Sequence, residues 1–211
     1  VPYPIESALS GVAKMVGKDS VLWYRTDLII PSDWNGKRIL LHFEAVDWET
    51  KVWLNGKEVG THKGGYDPFY FDITEALDRK GDQVITLRVW DPTNEGLQAR
   101  GKQLLEPGGI WYTPVSGIWQ TVWLEQVPAS HIRHIRIMPH VDSESIRVDV
   151  AISTPGRIHQ LRISAWDGDS CLASGEGPSD SLLTLHIPDP VLWSPGHPHL
   201  YDLKIRLLEN G

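Results

Sequence analysis

Cysteine is almost absent from this chain, with Cys171 the single one among 211 residues. One cysteine excludes a disulfide within the chain. It leaves the compartment open, because many exported bacterial proteins also lack disulfides. If the chain comes from a longer parent protein, a bacterial periplasmic or secreted parent is compatible with the sequence. Long apolar runs are missing too. None approaches the roughly 20 residues of a membrane-spanning helix, and we predict no membrane partner.

Basic residues are in deficit, since 20 Lys and Arg stand against 27 Asp and Glu, for a net charge of -7. Nucleic-acid binding needs a basic face, so we predict no nucleic-acid partner. Long helical periodicity, a nucleotide-binding loop, a serine nucleophile elbow and cysteine-based motifs are also missing. The sequence therefore predicts no cofactor. Nor is a metal site predicted: His131 and His134, three apart on a predicted strand, face opposite sides of it.

Tryptophan is abundant, and its distribution divides the chain. The length is sufficient for one large or two small domains. Of ten tryptophans, eight precede residue 128: Trp23, Trp34, Trp48, Trp53, Trp90, Trp111, Trp119 and Trp123. The pattern resets around Pro128, which predicts one domain over 1–127 and a second over 128–211. Because the chain begins without Met and stops on a turn signal, Asn210-Gly211, we expect it to come from a longer protein.

Short strands dominate the predicted secondary structure. Apolar residues alternate with polar ones at Ile85, Leu87 and Val89, and again at Leu161 and Ile163. Asn55-Gly56 is typical of a two-residue hairpin whose central residues have positive φ. This spacing of short strands favours an all-β sandwich or jelly roll. Four tryptophans in strand patterns are predicted to pack in a core: Trp53, Trp90, Trp119 and Trp123.

A loop rich in glycine and proline carries two further aromatic residues. Residues 108–119 place Trp111 and Tyr112 between Gly108 and Pro114, directly before a predicted strand. Rings held on a loop beside a rigid sheet suit stacking on a flat apolar face such as that of a sugar. The alternative is that both rings merely cover the end of a sandwich.

These segments resemble the N-terminal domains of family 2 glycoside hydrolases, which include β-galactosidases, β-glucuronidases and β-mannosidases. The resemblance lies in residues 52–60, 64–74, 100–103, 108–119 and 192–203, in the order in which the family has them. It implies a jelly-roll, galactose-binding-like β-sandwich over 1–127, followed by a smaller immunoglobulin-like β-sandwich over 128–211. We expect the second sandwich to be truncated at its C-terminal end, without its final strand.

The same resemblance implies a function. The family's retaining enzymes cleave β-linked sugars with two carboxyl groups about 5–5.5 Å apart, carried by a (β/α)₈ barrel. Because repeated strand–helix units are missing here, we predict no catalytic residue and an inactive chain that braces the barrel of its parent. A free-standing carbohydrate-binding module and a purely structural interaction scaffold are the alternatives. The implied partners are a carbohydrate, through the parent active site, and the C-terminal catalytic barrel.

The resemblance also suggests which residues contact substrate. In relatives, the loop before the Gly-Ile-aromatic strand reaches into the active site, and β-galactosidases often carry an Asp where Trp111 stands. The candidate substrate-binding residues are Trp111, Tyr112, Arg100, Lys102, Gln103 and Glu6. The sequence Asp91-Pro92-Thr93-Asn94 also offers polar groups for a sugar or a neighbouring domain. Other acids are predicted to face solvent in loops or on strands: Asp47, Glu49, Asp67, Asp72 and Glu106.

Overall fold

The computed structural model describes residues 1–78, 81–154 and 156–208. By its internal contacts the chain divides into two compact units, Val1–Val127 and Pro128–Gly211. The described residues form fifteen β-strands and four short 3₁₀ helices, and none of them lies in an α-helix. The all-β prediction is therefore confirmed.

The first unit is a sandwich of antiparallel sheets. A four-stranded sheet has the order β1-β7-β4-β5, a three-stranded sheet has the order β6-β2-β9, and β3 pairs with β8. The two larger sheets share one core of Ile, Leu, Val and Phe side chains, with Phe43 of β2 almost completely buried. The strands are β1 (Leu22–Leu28), β2 (Arg38–Phe43), β3 (Val46–Asp47), β4 (Glu49–Leu54), β5 (Lys57–Lys63), β6 (Phe69–Asp72), β7 (Gln83–Trp90), β8 (Gly117–Ile118) and β9 (Val122–Val127).

Two local sequence signals produce the structure they predict. Along β7, buried and half-buried residues alternate strictly, with Ile85, Leu87 and Val89 facing the core. Asn55 and Gly56 have φ of 52° and 78°, and they connect β4 to β5 as a tight hairpin. Both signals depend on short-range geometry, namely the period of two in a strand and the positive φ of the turn.

The tryptophan prediction is wrong for Trp123, which is 41% exposed. Trp123 lies on β9 on the same side as Glu125, whereas Val122 and Leu124 pack against the core. Its ring stacks on His42 of the neighbouring strand with centroids 4.1 Å apart. Trp53, Trp90 and Trp119 are only half-buried. Because side chains alternate along a strand, a tryptophan beside apolar residues falls on the opposite, outer face.

The second unit is a smaller sandwich of two three-stranded sheets, β10-β11-β14 and β13-β12-β15, all antiparallel. Val148, Leu161 and Ile163 are buried at its centre. Among the described strands, β15 pairs with β12 alone, and a missing final strand remains a prediction. The strands are β10 (Ile132–His140), β11 (Ser145–Ile152), β12 (Gln160–Asp167), β13 (Ser170–Pro178), β14 (Leu183–His186) and β15 (Asp202–Leu208).

Among the described residues, no helix has the length and apolar character needed to cross a membrane.

Candidate functional site

A long loop connects β7 to β8, and residues 91–116 contain no named strand. The loop is held by its own backbone. The Tyr112 amide donates to the Lys102 carbonyl at 2.8 Å, and the Leu104 amide donates to the Tyr112 carbonyl at 3.0 Å. Loops of this length in a compact domain are usually functional, and this one has a defined conformation from which side chains can project.

The loop presents two aromatic rings to solvent. Trp111 is 42% exposed and Tyr112 is 63% exposed. The Lys102 ammonium lies 6.0 Å from the centroid of the Tyr112 ring, at the outer limit of a cation–π contact. An exposed ring beside an ammonium group offers stacking and a hydrogen-bond donor together.

A concavity of about 290 Å³ lies beside Tyr112. Four of the six candidate residues line it, namely Arg100, Lys102, Gln103 and Tyr112. Trp111 and Glu6 are not among its lining residues. The full lining is Asp47, Tyr66, Arg100, Gly101, Lys102, Gln103, Tyr112, Thr113, Val115 and Trp119.

Gln103 and Arg100 bind the protein itself. The Gln103 Oε1 atom accepts the Val115 amide at 2.6 Å, and its Nε2 atom donates to Asp47 Oδ2 at 3.3 Å. The Arg100 guanidinium donates to the Asn94 carbonyl. Gln103 is buried, and both the oxygen and the nitrogen of its side-chain amide form hydrogen bonds within the protein. These two bonds stabilise the conformation of the loop.

Beneath the loop lie acids that the sequence interpretation placed in solvent or left open to a sugar. Asp47 is 3% exposed and Asp91 is 6% exposed, so the prediction that Asp47 faces solvent is wrong. Asp91 Oδ2 accepts the Ser116 hydroxyl at 2.6 Å, and its Oδ1 accepts the Thr93 amide at 2.7 Å. Glu6 Oε2 accepts the Ser116 amide at 3.0 Å. Asp47 and Asp91 are buried and Glu6 is half-buried, because the loop and the N-terminal segment cover this region.

This environment favours the neutral form of each acid. Burial raises the pKa of Asp47 to about 7, and the charges of Asp91 and Glu6 act in the same direction. Burial also raises the pKa of Asp91 and of Glu6, although hydrogen bonds from Ser116 to each oppose the shift. Desolvation penalises a carboxylate unless a positive charge compensates for it. No ion pair among the described residues includes any of the three.

A raised pKa in a concavity also suits a general acid. Glycosidases, however, need a second carboxyl group across the scissile bond, between about 5 and 9.5 Å away. Asp47 is the one acid that lines the concavity, since Asp91 and Glu6 are not among its lining residues. The arrangement fits an anchored loop better than a carboxyl pair.

Family models match both units of the chain. "Glycosyl hydrolases family 2, sugar binding domain" matches residues 1–128, and "Glycosyl hydrolases family 2" matches residues 130–211. The chain belongs to glycoside hydrolase family 2. The two family 2 matches account for the jelly-roll-type and immunoglobulin-like sandwiches in the order described above.

Individual relatives support the assignment to family 2. A β-galactosidase of Thermoanaerobacter pseudethanolicus is 28% identical over 89% of this chain and 26% of its own length. A β-glucuronidase of Paenibacillus borealis is 26% identical over 100% of this chain and 37% of its own length. The solved structure of a β-glucuronidase from Ruminococcus gnavus shares the fold, with a TM-score of 0.77 at 21% identity, over 100% of this chain and 37% of that one. The family 2 chain therefore spans well under half the length of these relatives.

In the described part of this family 2 chain, no group of three or more His, Cys, Asp or Glu side chains is arranged to hold an ion. His131, one of the clustered histidines, directs its Nδ1 atom to the Pro128 carbonyl at 2.9 Å.

Ser116 joins the loop to Asp91 and Glu6. We expect Ser116→Ala to lower the free energy of unfolding by about 1–3 kcal/mol, because a buried Asp91 oxygen loses its donor. Ser20→Ala, at an exposed position of the same unit, is the matched control and should change stability by less than about 0.5 kcal/mol. Urea denaturation of both variants checks this, and equal stabilities would contradict it.

Proposed function

We propose that this chain is the non-catalytic N-terminal part of a retaining glycoside hydrolase that acts on β-linked sugars. It resembles the N-terminal domains of family 2 β-glycosidases, and its described residues include none of the strand–helix units of a barrel. The relatives named as β-galactosidase and β-glucuronidase are much longer than this chain. The proposed domains are a jelly roll over 1–127 and an immunoglobulin-like sandwich over 128–211, which together brace the catalytic barrel of the parent.

The observation that carries the proposal is the loop of residues 91–116. Its inner side is bound to buried acids through Ser116 and Gln103, and its outer side carries Tyr112 and Lys102. Anchored in this way, the aromatic ring loses little conformational freedom when it stacks on a sugar. We propose that the loop forms one wall of the parent's substrate pocket. Tyr112 and the neighbouring residue Trp111 both belong to that wall.

The chain alone should show no turnover of nitrophenyl β-galactoside or nitrophenyl β-glucuronide above the rate in buffer, because it supplies no pair of carboxyl groups across a cleft. Release of nitrophenol, followed by absorbance over hours at micromolar protein, measures this. Turnover that stays with the protein through purification would contradict the proposal.

In the full-length parent enzyme, Tyr112→Ala should lower kcat/KM by about tenfold, since one aromatic stacking contact contributes roughly 1–1.5 kcal/mol. Trp111→Ala tests the neighbouring ring in the same way. Trp23→Ala is the matched control, because Trp23 is an exposed tryptophan on β1 and does not line the concavity. If both loop variants keep wild-type kinetics, the loop does not contact substrate and the scaffold alternative is favoured.

The concavity beside Tyr112 favours a second candidate, a free-standing carbohydrate-binding module. Titration calorimetry of the chain with galactose and with glucuronate distinguishes the two. A Kd below about 1 mM that is lost in Tyr112→Ala would favour the module. Without the rest of the parent's pocket we expect no measurable heat.

A further inference from the structure

Three rings lie in a row on the outer face of the sheet β6-β2-β9. His42 of β2 pairs with Tyr70 of β6 on one side and with Trp123 of β9 on the other. The centroid of the His42 ring lies 4.1 Å from that of Trp123, with the two planes 8° apart, and 5.3 Å from that of Tyr70. The His42 Nε2 atom also lies 3.1 Å from Glu125 Oε2. The register of three strands and this contact therefore hold the Trp123 ring in place.

Trp123 is accessible as well as fixed. It is 41% exposed, although a tryptophan stabilises a fold most when it is buried. The His42 ring covers one face of the indole, and no other ring packs on Trp123 among the described residues. The opposite face is therefore left for a ligand. A ring that is already held in one position loses little conformational freedom when a ligand stacks on it.

A concavity of about 370 Å³ opens beside Trp123. Its lining includes Tyr66, which is 47% exposed, and two polar side chains, Glu44 and Gln120. Small-molecule sites range from about 300 to 1,000 Å³, so this one suits a ligand the size of a monosaccharide. The Glu44 amide donates to the Thr121 carbonyl at 3.0 Å. This bond holds the end of β2 beside the start of β9 and brings both polar side chains to the same concavity.

These polar side chains are free to bind a ligand. In the part of the chain that the structure describes, neither the Glu44 carboxylate nor the Gln120 side-chain amide forms a hydrogen bond or an ion pair. In the concavity beside Tyr112, by contrast, the Gln103 amide is engaged within the protein through both of its polar atoms. A carboxylate accepts hydrogen bonds and an amide both donates and accepts them, so the pair matches the hydroxyl groups of a sugar.

The charge of the lining limits which sugar can bind. Glu44 is the one acid among the described lining residues, which include neither lysine nor arginine. The concavity beside Tyr112 differs, because Arg100 and Lys102 line it. A uronic acid would bring its own carboxylate close to Glu44 with no cation between them, and like charges repel. The lining therefore favours a neutral sugar.

We propose that the concavity beside Trp123 is a second carbohydrate-binding site, which takes one neutral pyranose ring and discriminates against uronic acids. The apolar face of the sugar stacks on Trp123, and its hydroxyl groups bind Glu44 and Gln120. Tyr66 lines both concavities, so the second site lies next to the one beside Tyr112. The second site needs neither the catalytic barrel of the parent nor the Tyr112 ring.

NMR titration of the chain with methyl β-glucoside and methyl β-galactoside tests the site. We expect saturable shifts of the Trp123 indole N–H and the Gln120 side-chain amide, with a Kd of about 2–20 mM for at least one of the two sugars. In Trp123→Ala, binding followed at the Gln120 amide should be about tenfold weaker. Trp23→Ala is the matched control and should bind as wild type, because Trp23 is exposed and does not line this concavity. Tyr112→Ala should also leave binding at this site unchanged.

Methyl β-glucuronide tests the charge preference, since it differs from the glucoside only in the carboxylate at C6. We expect it to bind about two- to fivefold more weakly than the neutral sugars at low ionic strength. Glu44→Gln should remove this difference. Glu44 is exposed, so this variant keeps the site testable if Trp123→Ala fails to fold.

Three results would each overturn the second site. They are the lack of saturable shifts with both neutral sugars, binding that persists undiminished in Trp123→Ala, and tighter binding of the glucuronide than of the neutral sugars. Shifts that follow protein concentration instead of sugar concentration would also overturn it, and would indicate that copies of the chain associate through this face. Because no measurement here involves enzyme activity or the loop of residues 91–116, failure of the second site is distinguishable from failure of the proposed function.

Discussion

Gly117→Ala is expected to lower the free energy of unfolding of the first unit by about 2–5 kcal/mol. Gly117 is buried with φ of 83°, in the left-handed region that a side chain disfavours. A Cβ atom there would lie 2.0 Å from the Tyr24 hydroxyl oxygen and 3.0 Å from Leu22 Cδ1. Tyr24 would have to move, and its oxygen would lose the hydrogen bond that it accepts from the Ile118 amide at 3.3 Å.

The expected loss has a matched control in the loop that precedes Gly117. At Gly108 an added Cβ meets nothing within 4 Å, so Gly108→Ala should stay within about 0.5 kcal/mol of wild type. Tyr24→Phe removes the atom in closest contact, so in the double variant Gly117→Ala/Tyr24→Phe part of the loss should be recovered, with a coupling of about 1 kcal/mol or more. Urea unfolding followed by tryptophan fluorescence measures the wild type and the four variants, with Tyr24→Phe alone included to complete the cycle. Equal stability of the two alanine variants would show that the Gly117 backbone accommodates a side chain.

The strands and the family 2 assignment could be predicted from the sequence because both depend on short segments. Alternation at Ile85, Leu87 and Val89 reports directly which face of β7 is buried. The Asn55-Gly56 hairpin follows from two residues with positive φ. Motifs such as residues 52–60 and 108–119 carry the family resemblance in the same local way, and the family models agree with it.

The buried acids could not be predicted in this way. Asp47 is covered by Gln103 and faces the charges of Asp91 and Glu6, residues far from it in sequence. A local sequence pattern predicts that an acid near a turn is solvated. The burial of Asp47 depends instead on how the long loop of residues 91–116 folds back over it. One signal was available in the sequence: Asp47 directly follows two apolar residues, Ala45 and Val46, which the structure shows to be buried. The error at Trp123 has a different cause: Val122, Trp123 and Leu124 are all apolar, so both faces of β9 carry apolar residues and alternation does not identify the inner one.

Asp47→Asn should make the chain more stable than wild type at pH 8, with little difference at pH 4. The folded-state pKa of Asp47 is raised from 3.8 to about 7, so between these values the folded protein binds more protons than the unfolded one. The stability that this proton provides is complete below the unfolded pKa and is lost as the pH rises towards 7. At about 1.4 kcal/mol per pKa unit, the loss reaches at most about 4 kcal/mol. Asparagine keeps an acceptor for the Gln103 amide and carries no charge at any pH.

Because other carboxyl groups also titrate, the quantity to measure is the stability of the variant minus that of wild type, from urea unfolding at pH 4, 5, 6, 7 and 8. We expect this difference to rise through the range by a total of about 2–4 kcal/mol, and to remain constant above pH 7. Asp27→Asn supplies the baseline, since Asp27 is exposed on β1 and its difference should stay within about 0.5 kcal/mol throughout. A difference that is flat, or that falls as the pH rises, would mean that Asp47 is ionised in the folded protein and that the loop rests on a solvated carboxylate.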